Sequence, residues 1–86
     1  MRFEMELRNM RVSVIMDVLA QAGAKPTGER SAEGEGWQAS LIELESAKVG
    51  SIMSIRRDSL VIEGDDETLV TSIYNFVRKN MIRGGG

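Results

Sequence analysis

Eighty-six residues with a formal net charge of −2, no cysteine and no histidine describe one small domain spanning residues 1–86. The composition excludes disulfides and thiolate metal sites, and it removes the side chain most used as a general base, a zinc ligand or a neutral-pH switch. The acidic balance disfavours nucleic acid as a partner, no apolar run approaches the ~20 residues that span a bilayer, and a start without a signal-peptide pattern points to the cytoplasm.

Met1 to Leu7 alternates, with Phe3, Met5 and Leu7 on one side and Arg2, Glu4 and Glu6 on the other. That is a strand with one buried and one wet face. Asn9 is placed to cap a helix whose apolar positions Val12, Ile15, Val18, Leu19 and Ala22 recur at helical spacing over 10–22. Gly23 is the stop, and Pro26 follows where a helix cannot resume. Residues 27–36 are polar and glycine-rich, and read as a loop or as the ragged edge of a short strand such as Glu29–Ala32.

A second alternating run opens at Trp37, with Ala39 and Leu41 on its face. Parity switches at Ile42 and Leu44, which predicts a bulge near Leu41–Ile42. Ser46-Ala47-Lys48 reads as a connection, and 49–56 as the next strand, with Gly50 marking a bulge or close contact. Arg57-Asp58 is the expected turn into a hairpin partner over 60–63. Asp65 or Asp66 caps the last helix, with Glu67 favourable to its dipole. Leu69, Ile73, Phe76, Val77 and Met81 form the apolar stripe of that helix, and Arg78, Lys79 and Arg83 gather at its C-terminal end. Gly84 is the expected cap, leading into a flexible glycine tail over 84–86. The expected fold is α+β: a two-layer sandwich with an antiparallel sheet of four or five strands and two helices on one face.

Few features carry chemistry. Asp65, Asp66 and Glu67 lack the spacing of a calcium loop and are explained by a turn and a cap. Glu33-Gly34-Glu35-Gly36 would repel a phosphate. No hydroxyl or lysine sits in a nucleophile–base pattern, so neither catalytic residues, a metal nor a cofactor is expected, and the chain reads as a non-enzyme. Trp37 beside a flexible loop either anchors a partner or covers one end of the core. Arg78, Lys79 and Arg83 offer a charged helix end to a partner, and Arg56 and Arg57 would join them if the hairpin tip lay near. The chain ends Arg83-Gly84-Gly85-Gly86. A thread without side chains suits the narrow channel of an adenylating enzyme, which makes Gly85 and Gly86 candidate carrier residues. A frayed end after a helix explains the same glycines.

Gly34-Glu35-Gly36 before a strand, Lys48-Val49-Gly50-Ser51, the strand end Val61-Ile62-Glu63-Gly64-Asp65 and the terminal Arg83-Gly84-Gly85-Gly86 carry a family resemblance. Over its later two-thirds the chain resembles the C-terminal domain of molybdopterin-synthase small-subunit-like (MoaD-related) proteins. The resemblance implies a β-α-β(3–4)-α domain, similar to half of a TATA-binding-protein-like fold. It also implies a link to molybdenum or tungsten cofactor assembly, whose small subunits carry sulfur on a terminal Gly-Gly. Expected partners are then a protein, either an adenylating enzyme or a molybdopterin-synthase component, or a second copy in a homodimer. The leading expectation is an accessory interaction domain, and the alternative is a sulfur carrier or modifier activated at its last glycine.

Overall fold

A computed structural model describes residues 1–50 and 53–84. In chain order the elements are β1 (Arg2–Arg8), α1 (Val12–Gln21), β2 (Lys25–Gly28), β3 (Ser31–Gly34), β4 (Trp37–Val49), β5 (Met53–Gly64) and α2 (Glu67–Gly84). The strands form one sheet in the order β1-β5-β4-β3-β2, and each neighbouring pair is antiparallel. The fold is the expected α+β arrangement, with four strands between the two helices.

One face of the sheet carries the core. Leu7, Ala32, Trp37, Ala39, Leu41, Leu60 and Ile62 pack with Ile15, Val18 and Leu19 of α1 and with Val70, Val77 and Met81 of α2 in a single buried cluster. Phe3 stacks on Tyr74 with ring centroids 4.4 Å apart, joining β1 to α2. The period-two pattern read from Phe3-Met5-Leu7 and Trp37-Ala39-Leu41 is therefore the pattern that buries.

The end of α1 and the start of α2 have identifiable causes. At the end of α1, Gly23 adopts φ 102°, and the Ala24 N–H donates to the Leu19 carbonyl at 3.0 Å. That bond, reaching back across a left-handed glycine, closes the helix as expected. At the start of α2, the Asp66 carboxylate accepts from the Thr68 and Leu69 N–H groups at 3.0 and 3.3 Å, so Asp66 is the cap. Asn9 is not a cap. It takes φ 53° and its N–H donates to the Arg56 carbonyl at 2.8 Å, ending β1 against β5, while α1 starts after Arg11 without a side-chain cap. Gly84 lies inside α2 rather than beyond it, and Gly85 and Gly86 fall outside the described residues.

Four expectations about the middle of the chain are corrected. Residues 27–36 are not a loop: they hold two tight turns around a short strand, β3, which stands at Ser31–Gly34 instead of Glu29–Ala32. Glu29-Arg30 joins Gly28 to its partner Ser31, and Glu35-Gly36 joins Gly34 to its partner Trp37. Pro26 is tolerated in β2 because that strand is an edge. The bulge falls between Leu44 and Ala47, not at Leu41–Ile42, so Ser46-Ala47-Lys48 continues β4 instead of connecting two strands. Arg57-Asp58 is the middle of β5, not a turn, with Asp58 opposite Leu7 on one side and Glu43 on the other. The reversal between β4 and β5 lies after Val49, where Gly50 takes φ 73°.

Candidate functional site

The sheet has a second face, and among the described residues no helix packs on it. The register places Arg2, Glu4, Glu6 and Arg8 of β1 beside Glu63, Val61, Ser59 and Arg57 of β5. Gln38, Ser40, Ile42 and Leu44 of β4 flank β5 on its other side. Ion pairs edge this face: Arg2 with Glu4 at 2.9 Å, Arg8 with Glu6 at 2.7 Å, and Arg57 with Glu6. Its middle is flat and small, built from Ser40, Ser59 and a buried Val61, with Ile42 47% exposed beside them.

Arg57 organises one end of that face. It grips Glu6 through two nitrogens, and its Nη1 donates to the Glu45 carbonyl at the bulge at 3.2 Å. The guanidinium holds the Glu6 carboxyl below its ordinary range, with Arg8 adding to the effect.

Beyond this clamp the sheet narrows to two strands. β1 accompanies β5 only as far as Arg8 opposite Arg57, and β3 accompanies β4 only as far as Ser31 opposite Ser40. From there β4 and β5 continue, paired with each other, to Val49 opposite Met53. The ribbon adds about 20 Å beyond the sheet body and accounts for a long axis of 44 Å against 22 and 21 Å. Met53 near its tip is 63% exposed.

At the root of the ribbon, on the helix side, Asp58 is fully buried. It accepts from Arg30 Nη1 at 3.2 Å and from Arg56 Nε at 3.1 Å, and Glu43 lies 3.8 Å from Arg30. Two cations, one on each carboxylate oxygen, neutralise the acid, which explains how a carboxylate sits in a strand interior. This cluster was not legible in the sequence, because Arg56, Asp58 and Arg30 meet only through the register. The one hint was the charged triplet Arg56-Arg57-Asp58 between Ile55 and Leu60.

The structure separates the residues singled out by sequence. Trp37 is buried at 5% exposure, and its ring lies against Gly34, where a Cβ would collide with the indole nitrogen. It therefore covers the core instead of presenting itself to a partner. Arg78 and Lys79 are exposed on α2. Arg56 and Arg57 do not join them in a free basic patch, since Asp58 and Glu6 neutralise both. The side chain of Arg83, and Gly85 and Gly86, lie outside what is described. The Glu33–Gly36 turn borders an open depression with Gln38, Glu63 and Asp65, and among the described residues no cluster of three potential metal ligands occurs. Among the described residues no helix is long and apolar enough to cross a membrane.

No curated protein matches the chain. The glycine turns at Gly34-Glu35-Gly36 and Gly64 that carried the resemblance are the ones that seat Trp37. The resemblance extends past the later two-thirds: the sequence profile of the archaeal MoaD-like proteins matches residues 3–86, from the first strand onward, and the chain belongs to that family.

Proposed function

We propose that this protein is a non-enzymatic accessory domain that binds a protein partner in molybdopterin-type cofactor synthesis. The observation that carries the reading is the uncovered sheet face. It is flat at Ser40 and Ser59, bears the exposed Ile42, and is fenced by ion pairs that leave no large unmatched charge on β1. Such a face suits a polar protein contact in which small side chains allow close approach around one exposed apolar residue. Family membership supports the cofactor link. The partner is an adenylating enzyme or a molybdopterin-synthase component, captured from the same organism. Ser40→Arg raises a long charged side chain in the middle of the face without touching the core. It is expected to weaken capture by about tenfold or more while leaving the melting temperature unchanged. Unaltered capture by that variant would refute the assigned surface.

A second reading rests on the terminal Arg83-Gly84-Gly85-Gly86. In it, the Gly86 carboxylate attacks the α-phosphorus of ATP, pyrophosphate leaves, and a sulfur donor then displaces AMP to give a thiocarboxylate. Intact mass after incubation with ATP, a sulfide source and the adenylating enzyme distinguishes the two. A gain of sulfur in place of oxygen supports the carrier. An unchanged mass beside a charged control carrier supports the accessory domain.

A further inference from the structure

The ribbon leaves one edge of β4 open, and its sequence is complementary to itself. Leu41 is the last β4 residue bonded on the β3 side, donating its N–H to the Arg30 carbonyl at 2.7 Å. From Ile42 to Val49 the strand pairs with β5 alone among the described residues. An open edge of this length is a template for a further strand.

The bulge decides which strand fits. The Arg56 carbonyl faces β1, where it accepts from Asn9, so Arg57 and Ile55 turn their backbone groups toward β4. Their partners Leu44 and Ala47 face β5 in return, which leaves Glu43 and Lys48 with N–H and C=O toward the open edge. Two residues on one strand that are five positions apart normally face opposite ways. Here the extra residue between Leu44 and Ala47 brings them to the same side and edge.

We propose that the open edge of β4 pairs antiparallel with the same edge of a second copy, about a two-fold axis at the Glu45–Ser46 bulge. This rests on the interaction-domain reading and names one occupant for its ribbon. The register opposes Glu43 to the second copy's Lys48 twice, once on each side of the axis. It opposes Ile42 to position 49 and Leu44 to position 47, aliphatic residue types in every case. It brings Gly50 opposite Leu41, whose N–H is already taken by the Arg30 carbonyl, so the new pairing ends there. Two like strands laid in this way satisfy each other and leave no β4 edge for a third copy.

Sedimentation and light scattering on the whole purified chain test the pairing. The native chain is expected to show a dimer whose population rises with concentration. Glu43→Lys and Lys48→Glu each place like charges across the axis and are expected to weaken it by about tenfold or more, and the double swap is expected to restore it to within about threefold. Glu43→Pro removes an edge N–H without breaking the β4–β5 ladder and is expected to give a monomer with a native circular dichroism spectrum. A chain that remains monomeric at millimolar concentration, or a dimer indifferent to these changes, overturns the proposal. Partner capture measured on the same variants keeps the two readings apart. Capture that survives the charge swaps and fails only in Ser40→Arg leaves the proposed function standing whatever the dimer does.

Discussion

Trp37 consumes three glycines. Its ring lies on Gly34, Gly36 turns the chain just before it at φ 81°, and Gly64 opposes it across the sheet. A Cβ at position 64 would stand 2.5 Å from the Gly36 carbonyl and 2.9 Å from Val70 Cγ2. The first of these is backbone and cannot swing away. Gly64→Ala is therefore expected to destabilise the protein by about 1–3 kcal/mol, read as a lowered urea midpoint at constant slope. The Glu6–Arg57 pair gives a different kind of prediction. Because the folded protein holds the Glu6 carboxyl below its ordinary value of 4.5, the pair's stabilisation is fully present above that pH and is lost as acidification passes through the lowered folded value. Melting curves on native protein and Glu6→Gln are expected to converge as pH drops through this window. A gap that stays constant would mean that the ion pair contributes nothing.

At the level of elements, the pieces set by local chemistry were legible. The Gly23 stop and the cap of α2 depend on a few neighbouring residues; the first stands where the sequence placed it, and the structure chooses Asp66 from the two candidates. Asp66→Ala is expected to cost about 1 kcal/mol, seen as a melting point lower by roughly 4–8 °C. The middle of the chain was harder to read, because its punctuation was supplied from elsewhere. Arg57-Asp58 has the composition of a turn, but Arg30 and Arg56 neutralise Asp58 and Glu6 takes Arg57, so the strand runs through. Asn9 has the composition of a cap, but β1 needs a left-handed residue at its end and Asn tolerates it. The parity switch after Leu41 did not mark a bulge: Ile42 and Leu44 are apolar residues on the uncovered face, in unbroken register with Ser59 and Arg57. The alternation carries on through Leu44, opposite Arg57, and breaks only before Ala47. Of the candidate site, the open sheet face followed from the alternation of β1, whereas the ribbon and its free edge came only from knowing where β1 and β3 stop.

Taken whole, the molecule joins a well-supported sheet body to a ribbon held by one ladder. Amides of 57–63 lie between two neighbouring strands, whereas those of 44–49 and 53–56 pair mainly across the ribbon. Hydrogen exchange in a monomeric Glu43→Pro background is expected to be faster in the ribbon than at Leu60 and Ile62, because local opening there breaks fewer contacts. Equal protection would show that the ribbon and the body open together. The opposite end of the molecule has its own consequence. The Met1 ammonium donates to the Gly64 carbonyl at 3.0 Å, and every partner of β1 comes from 57–63. During synthesis the first strand emerges long before anything exists for it to pair with, while the successive hairpins from Lys25 onward assemble as they appear. Closing the sheet is then the late step, and until it happens the β5 flank and the Phe3 side of the core stay open to whatever else is in solution.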